Sequence, residues 1–260
     1  MSETLQPKIY DPDRYLISTI IHKPAGKGPY PVVIILPGFS DGKDEIHYVT
    51  LAETLSDSGY LVVRFDPTGI GDSEGTLEED YRISTYLNDV DTIIFFLKHQ
   101  GNIDEKRIGI WGSSMGAMLA VIFAAEYSYI KAVVAVSPPA FIGSSGYFKT
   151  EIPNWEKAGK LEIENSKGEL LKVPDSFLRE SRKYSALTSA KSIKQPILTM
   201  VGTADTIVSP EDSKQISDAI SGEKKFLEIP EMTHEYADEP ENLKKVNEET
   251  KKFFDEYLKK

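Results

Sequence analysis

The chain has no cysteine. That absence excludes disulfide frameworks, thiolate zinc sites, iron–sulfur clusters and every thiol nucleophile, and it leaves the redox compartment open. Histidine is scarce, with four in 260 residues. No two of them have metal-ligand spacing on a common helix, so a catalytic metal is not expected. Long apolar runs are missing as well: the longest, Ala117 to Ala125, falls far short of the ~20 residues of a membrane span. The segment from Met1 to Lys8 lacks the apolar stretch of a signal peptide. Basic residues are in deficit, 30 against 41 acidic, for a net charge of −11, and such a surface repels nucleic-acid phosphates. Repeats and low-complexity tracts are absent. The expectation is a soluble cytoplasmic protein with a small-molecule partner, either monomer or homodimer, built as one large domain or a domain carrying an insertion.

What is present alternates. Short runs rich in β-branched residues, at 32–36, 61–65, 107–111, 132–136, 196–201 and 225–229, are separated by helical patterns at about 47–58, 83–99, 115–127, 209–220 and 240–258. A further strand is expected from Arg14 to His22. This rhythm predicts an α/β fold, a mostly parallel central sheet with helices on both faces. It breaks between residues 137 and 193, too long a stretch for a structureless loop. Within it Lys160–Glu164 and Glu169–Val173 flank Asn165-Ser166-Lys167-Gly168, a β-hairpin pattern, and Pro174-Asp175 opens a short helix near 176–185. Residues 1–136 and 194–260 therefore read as the core and 137–193 as an inserted subdomain.

The strand at 107–111 runs into Gly112-Ser113-Ser114-Met115-Gly116 and then an apolar helix. This is G-x-S-x-G in strand–turn–helix context, where small residues flank a nucleophile on a strained turn. Ser114 needs a general base, normally a histidine held by a carboxylate. His22, His47 and His99 lie in a strand, at a helix start and in a last helical turn, each with a structural explanation of its own. His234 follows the last strand, on the side where open α/β sheets place their sites. Asp205, after strand 196–201, is the expected carboxylate, with Glu231 and Glu235 beside the histidine as alternatives. Two backbone N–H groups should stabilise developing negative charge, one from Met115 and one from the loop Pro37-Gly38-Phe39-Ser40-Asp41-Gly42, with Phe39 the favoured donor. Rival motifs fail. Gly38 to Lys43 has three residues between its glycines where a phosphate loop needs four, and Gly69-Ile70-Gly71 lacks the third glycine of a dinucleotide fingerprint.

With these motifs the chain resembles the α/β-hydrolase superfamily over nearly its whole length. Pro37-Gly38-Phe39 stands where relatives often carry His-Gly-Phe, and the run from Asp66 to Ser73 is similar to the family's D-x-x-G-x-G-x-S loop. The Gly-Phe loop and the hairpin-bearing insertion resemble, more narrowly, the feruloyl or cinnamoyl esterase branch, whose insertion is a lid over the acyl pocket. The resemblance implies a serine carboxylesterase working through an acyl-enzyme, with no cofactor, on aromatic acyl esters, with promiscuity toward other aromatic esters and polyesters. It places Ser114, Asp205 and His234 as a triad, Phe39 and Met115 at the oxyanion hole, and Val208, Trp155, Phe141 and Phe148 at the substrate. Tyr147, Phe177 and Tyr184 are further lid aromatics, and a hydrophobic core beneath the insertion is expected to claim at least half of the set. A short-chain acyl or monoacylglycerol esterase, a thioesterase, a serine peptidase, or a non-catalytic small-molecule receptor on the same fold are the competing readings.

Overall fold

The computed structural model describes residues 3–165 and 168–259; Met1, Ser2, Ser166 and Lys167 of the expected hairpin turn, and Lys260 lie outside the described residues. In chain order the elements are β1 (Glu3–Leu5), β2 (Lys8–Tyr10), β3 (Leu16–Lys23), β4 (Tyr30–Leu36), α1 (Ile46–Asp57), β5 (Leu61–Phe65), α2 (Ile83–Gln100), β6 (Ile103–Ser113), α3 (Met115–Glu126) and β7 (Ile130–Val136). The insertion follows with α4 (Gly146–Ala158), β8 (Lys160–Glu164), β9 (Leu170–Pro174), α5 (Asp175–Ser181) and α6 (Ala186–Ala190). The core resumes with β10 (Ile197–Gly202), α7 (Pro210–Ala219), β11 (Lys224–Ile229) and α8 (Pro240–Leu258).

The main sheet runs β1-β3-β5-β4-β6-β7-β10-β11, with β2 also paired to β3. From β5 to β11 every neighbouring pair is parallel, and the three N-terminal strands are antiparallel. After β4 the chain turns to one side for β5 and then returns to the other side for β6. Crevices at such a reversal, outside the carboxyl ends of the strands, are where ligands bind in open α/β sheets.

Buried strands with helices on both faces read as continuous apolar runs because both sets of alternating side chains are covered. In β4, Val32, Ile34 and Leu36 join a cluster with α2 and α3, whereas Val33 and Ile35 join a second cluster with α1 and α8. Helix α3, Met-Gly-Ala-Met-Leu-Ala-Val-Ile-Phe-Ala-Ala-Glu, is apolar all round and is buried from Met115 to Ala124, as a helix without a polar face must be.

The insertion holds more structure than its sequence announces. The expected hairpin forms as the antiparallel pair β8–β9, and the short helix is α5. Helix α4 was not among the expected elements, and Pro153 inside it disfavours a helix at the level of local sequence. Trp155 and Phe177 have no solvent exposure and stack with planes 6° apart, and Phe177 stacks in turn on Tyr81 of the core. The Trp155 indole N–H donates to the Val173 carbonyl at 3.0 Å, tying α4 to the hairpin. Both rings belong to the same apolar cluster as β4 and α3, so the insertion shares the core's interior.

Candidate active site

Ser114 sits at the turn between β6 and α3 with φ 54° and ψ −122°, a region that costs a non-glycine residue about 1–3 kcal/mol. Its N–H donates to the Val136 carbonyl at 2.8 Å, and its own carbonyl accepts from Ala117 and Met118. The flanking glycines follow from distance: a Cβ on Gly112 would lie 2.2 Å from the Gly116 carbonyl oxygen, and one on Gly116 would lie 2.1 Å from that of Leu36. Strand and helix therefore meet closely enough to push the Ser114 hydroxyl above the sheet.

The loops after β10 and β11 are zipped together by backbone bonds. Thr203 N–H donates to Ile229 and Ala204 N–H to Met232, while Glu231 N–H donates to the Thr203 hydroxyl. A Cβ on Gly202 would fall 1.9 Å from the Met232 carbonyl oxygen, so only glycine lets the two loops come this near. The result is a continuous chain of contacts. Ser114 Oγ lies 3.1 Å from His234 Nε2, and His234 Nδ1 lies 2.8 Å from Asp205 Oδ2. The other oxygen of Asp205 accepts from the N–H groups of Ile207 and Val208 at 3.0 and 2.9 Å. Burial pushes the Asp205 carboxyl up, but the His234 contact and the Val208 N–H outweigh it and hold the group below the usual carboxylate range. Asp205 is thus charged and aimed at the imidazole. Glu231 and Glu235, the alternative carboxylates, are not the ones His234 meets.

Three tyrosines fix the loop after β4. The Tyr48 hydroxyl accepts from Gly38 N–H at 2.8 Å and donates to Asp41 Oδ2 at 2.7 Å; Tyr81 Oη accepts from Ser40 N–H, and Tyr86 donates to the Pro37 carbonyl. Between these anchors the Phe39 N–H has no acceptor among the described residues, and the same is true of Met115 N–H at the first position of α3. Two free donors beside a hydroxyl–imidazole–carboxylate chain can stabilise a tetrahedral oxyanion while the imidazole carries the serine proton. Behind the loop, Lys43 Nζ pairs with Asp66 and Asp72, each at 2.7 Å. The sequence that superficially resembles a phosphate loop therefore spends its lysine on a buried ion pair.

A cavity of about 760 Å³ opens over Ser114 and His234. Phe39, Tyr147, Phe148, Ile163 and Ile207 form its apolar wall. Of the residues expected at the substrate, Phe148 lines this space and three others do not. Trp155 lies in the buried stack beneath the insertion, Phe141 faces solvent at 45% exposure, and Val208 is buried with its N–H on Asp205, leaving the wall to its neighbour Ile207. Phe177 and Tyr184 likewise pack into the core cluster. His47, read from sequence as an ordinary helix-start residue, borders the cavity, and burial together with nearby His234 pushes it down to about 3, so it stays neutral. His22 Nε2 accepts from the Arg64 Nε–H away from the site, and His99 Nδ1–H donates to the Phe95 carbonyl of its own helix. The tyrosine anchors had no sequence signal, since nothing in a helical tyrosine's neighbourhood tells which distant loop its hydroxyl meets. Among the described residues no group of three or more histidine, aspartate or glutamate side chains is arranged to hold a metal ion, and no helix is long and apolar enough to cross a membrane.

Residues 31–160 match the model of the alpha/beta hydrolase fold family, half of the chain. This chain belongs to the α/β-hydrolase fold family. A protein of Escherichia coli described as an uncharacterized 31.7 kDa protein in the traX-finO intergenic region is 24% identical over 84% of this chain and 88% of its own length. The mitochondrial palmitoyl-protein thioesterase ABHD10 of Mus musculus is 26% identical over 75% of this chain and 65% of its own. Among solved structures, Est1E from Butyrivibrio proteoclasticus with ferulic acid bound superposes with a TM-score of 0.79 at 24% identity, covering 98% of this chain and all of that one. At that identity the likeness speaks for the fold alone.

Proposed function

We propose that this α/β hydrolase is a serine carboxylic ester hydrolase that takes aromatic acyl groups of the feruloyl or cinnamoyl kind. The observation that carries the reading is the chain from Ser114 through His234 to Asp205, opening into a cavity beside two unoccupied backbone donors. Ser114 Oγ attacks the ester carbonyl as His234 Nε2 takes its proton, Asp205 stabilises the imidazolium, and the Phe39 and Met115 N–H groups hold the oxyanion. The same proton returns to the leaving oxygen, the alcohol departs, and a water activated by His234 cleaves the acyl-enzyme. Phe148 and Tyr147 offer aromatic faces to the acyl group, an arrangement worth about 0.5–1.5 kcal/mol per ring pair beyond simple burial. In this reading residues 137–193 act as a lid, and ferulic acid in the similar Est1E structure supports the choice of acyl group. Thioester hydrolysis is the second reading, favoured by the activity named for the ABHD10 relative.

The test is a fluorophosphonate probe followed by a screen of p-nitrophenyl and methyl hydroxycinnamate esters alongside matched thioesters. The expected result is a single labelled serine at Ser114 and loss of turnover by about 10⁵-fold or more in Ser114→Ala. Labelling at Ser113, or turnover surviving in the variant, overturns the assignment. Matched thioesters turned over much faster than esters favour the second reading.

A further inference from the structure

The cavity is lined by charge as well as by apolar groups. Besides its apolar residues it is bordered by Asp41, Glu45, Glu164, Glu235 and Asp238, together with Glu162, whose charge is met by Lys160 at 2.7 Å. No lysine or arginine lines the space among the described residues. With 41 acidic and 30 basic residues in the chain, six charged side chains taken at random would all be acidic only about one time in thirty, so bulk composition does not account for the acidic lining. The carboxylates also feel one another. Asp41 is pushed up to about 6, by burial first and then by Glu45 and Glu235, although the Tyr48 hydroxyl and His234 pull the other way.

An independent observation points to a ligand in the same place. Tyr236 is 3% exposed and borders the cavity, its ring edge-on to His47 with centroids 5.6 Å apart. Its hydroxyl makes no well-formed hydrogen bond among the described residues, with the Ser113 side chain the polar group beside it. A buried hydroxyl without a well-formed hydrogen bond is costly, and a polar group entering the cavity can offer it one.

Chemistry tells which part of a substrate meets this lining. The leaving oxygen must lie against His234 Nε2 to receive its proton, and Glu235, Tyr236 and Asp238 follow His234 directly in the chain. Asp41 and Glu45 come from the oxyanion loop and the start of α1. Carboxylates around aromatic rings are the surroundings in which ammonium groups bind, through charge and through attraction to the ring faces. We infer that the alcohol side of this site selects leaving groups that carry an ammonium and rejects those that carry phosphate, sulfonate or carboxylate. The inference rests on the ester-hydrolase reading of Ser114 and His234. One consequence concerns thioesters: acyl groups delivered on a phosphate-bearing carrier thiol are poor substrates even where the acyl group fits.

Three esters of one acid test this, the acid being whichever acyl group the p-nitrophenyl screen favours. The alcohols are choline, its uncharged isostere 3,3-dimethylbutanol, and isethionate. The expected order of kcat/KM is cationic above neutral above anionic, with about a 30-fold span between the extremes at low ionic strength, shrinking as salt screens the carboxylates. In the double variant Glu235→Gln/Asp238→Asn the cation-to-anion ratio falls several-fold. A ratio near one in the unaltered protein, or a ratio that the double variant leaves alone, overturns the inference. Binding of the three free alcohols to Ser114→Ala, measured by calorimetry, must give the same ranking without turnover; choline binding no more tightly than 3,3-dimethylbutanol also overturns it. Persistence of all three hydrolyses in Ser114→Ala would instead sink the nucleophile assignment, so the two failures are distinguishable.

Discussion

The strand ends that carry Ser114, Asp205 and His234 and the insertion that overhangs them are held by different kinds of contact. At the strand ends the fixings are backbone groups: Ser114 N–H on Val136, Ser137 N–H on Met200, Ala204 N–H on Met232, with Gly112, Gly116 and Gly202 keeping the chains close. In the insertion they are side chains, chiefly the stack of Trp155 on Phe177 and the Trp155 N–H bond to Val173. Backbone contacts are available to every residue, so geometry demanding tenths of an ångström can rest on them with little constraint except small residues at the crossings. Side-chain packing depends on which residues are present, and a region built on it can be reshaped by substitution without moving the strand ends. The two regions meet at Phe39, whose ring lies 4.9 Å from Phe148 and 5.3 Å from Phe177 while its N–H faces the site. Loss of the whole insertion would therefore uncover the oxyanion loop, and single side chains are the cleaner probes.

Breaking the strand-end side has the largest expected effect. Asp205→Asn keeps the shape but removes the negative charge facing the imidazole and allows the wrong tautomer, so kcat for the best ester should fall by about 10⁴ with little change in thermal stability. Retention of most of the rate, together with its loss in Glu231→Gln, would reassign the carboxylate. On the insertion side, Phe148→Ala should lower the ratio of kcat/KM for a hydroxycinnamate ester over an acetate ester by about tenfold, roughly 1.4 kcal/mol of lost transition-state binding. Phe141→Ala should leave that ratio alone, since its ring faces solvent. Equal effects of the two changes would show that the ratio reports looseness of the insertion and not contact with the acyl group.

The smallest effect sharpens the comparison from beneath the site. Asp89 in α2 is fully buried, accepts from Thr68 N–H and Oγ1, and is pushed up to about 7 by burial against the pull of those hydrogen bonds. A carboxyl whose folded pKa is raised binds a proton more tightly in the folded than in the unfolded chain, so its contribution to stability declines as pH rises from about 4 to about 7. Asp89→Asn removes that dependence. The difference in Tm, variant minus unaltered protein, should therefore grow more positive between pH 5 and pH 8, whatever its starting value. A difference that is flat with pH would mean Asp89 is charged throughout.

Much of this was legible in the chain. Continuous apolar runs marked the inner parallel strands β4, β5, β6, β7 and β10, because strands covered on both faces have no polar period to hide in, and G-x-S-x-G at a strand end marked the turn at Ser114. The antiparallel edge was harder to see: β1 and β2 are three residues each and take their pairing from β3. Helix α4 contains Pro153, a local cost that tertiary packing of Trp155 overrides. For the lid aromatics, Phe148 and Trp155 lie seven residues apart on one helix, yet one lines the cavity and the other the core. Periodicity says which residues share a face and not what that face meets.

By itself the sequence determined the order of the parallel strands and their connecting helices, the strained turn at Ser114 and the pool of groups from which a hydrolytic site could be drawn, because these depend on local conformational preference and on spacing along the chain. Only the tertiary structure decided that Asp205 and not Glu231 faces His234, that Tyr48, Tyr81 and Tyr86 hold the loop after β4, and that carboxylates from three separate stretches of chain line one cavity. Most of those are contacts between residues distant in sequence. They are set by how the sheet brings its strand ends together, and no local pattern in the chain carries that information.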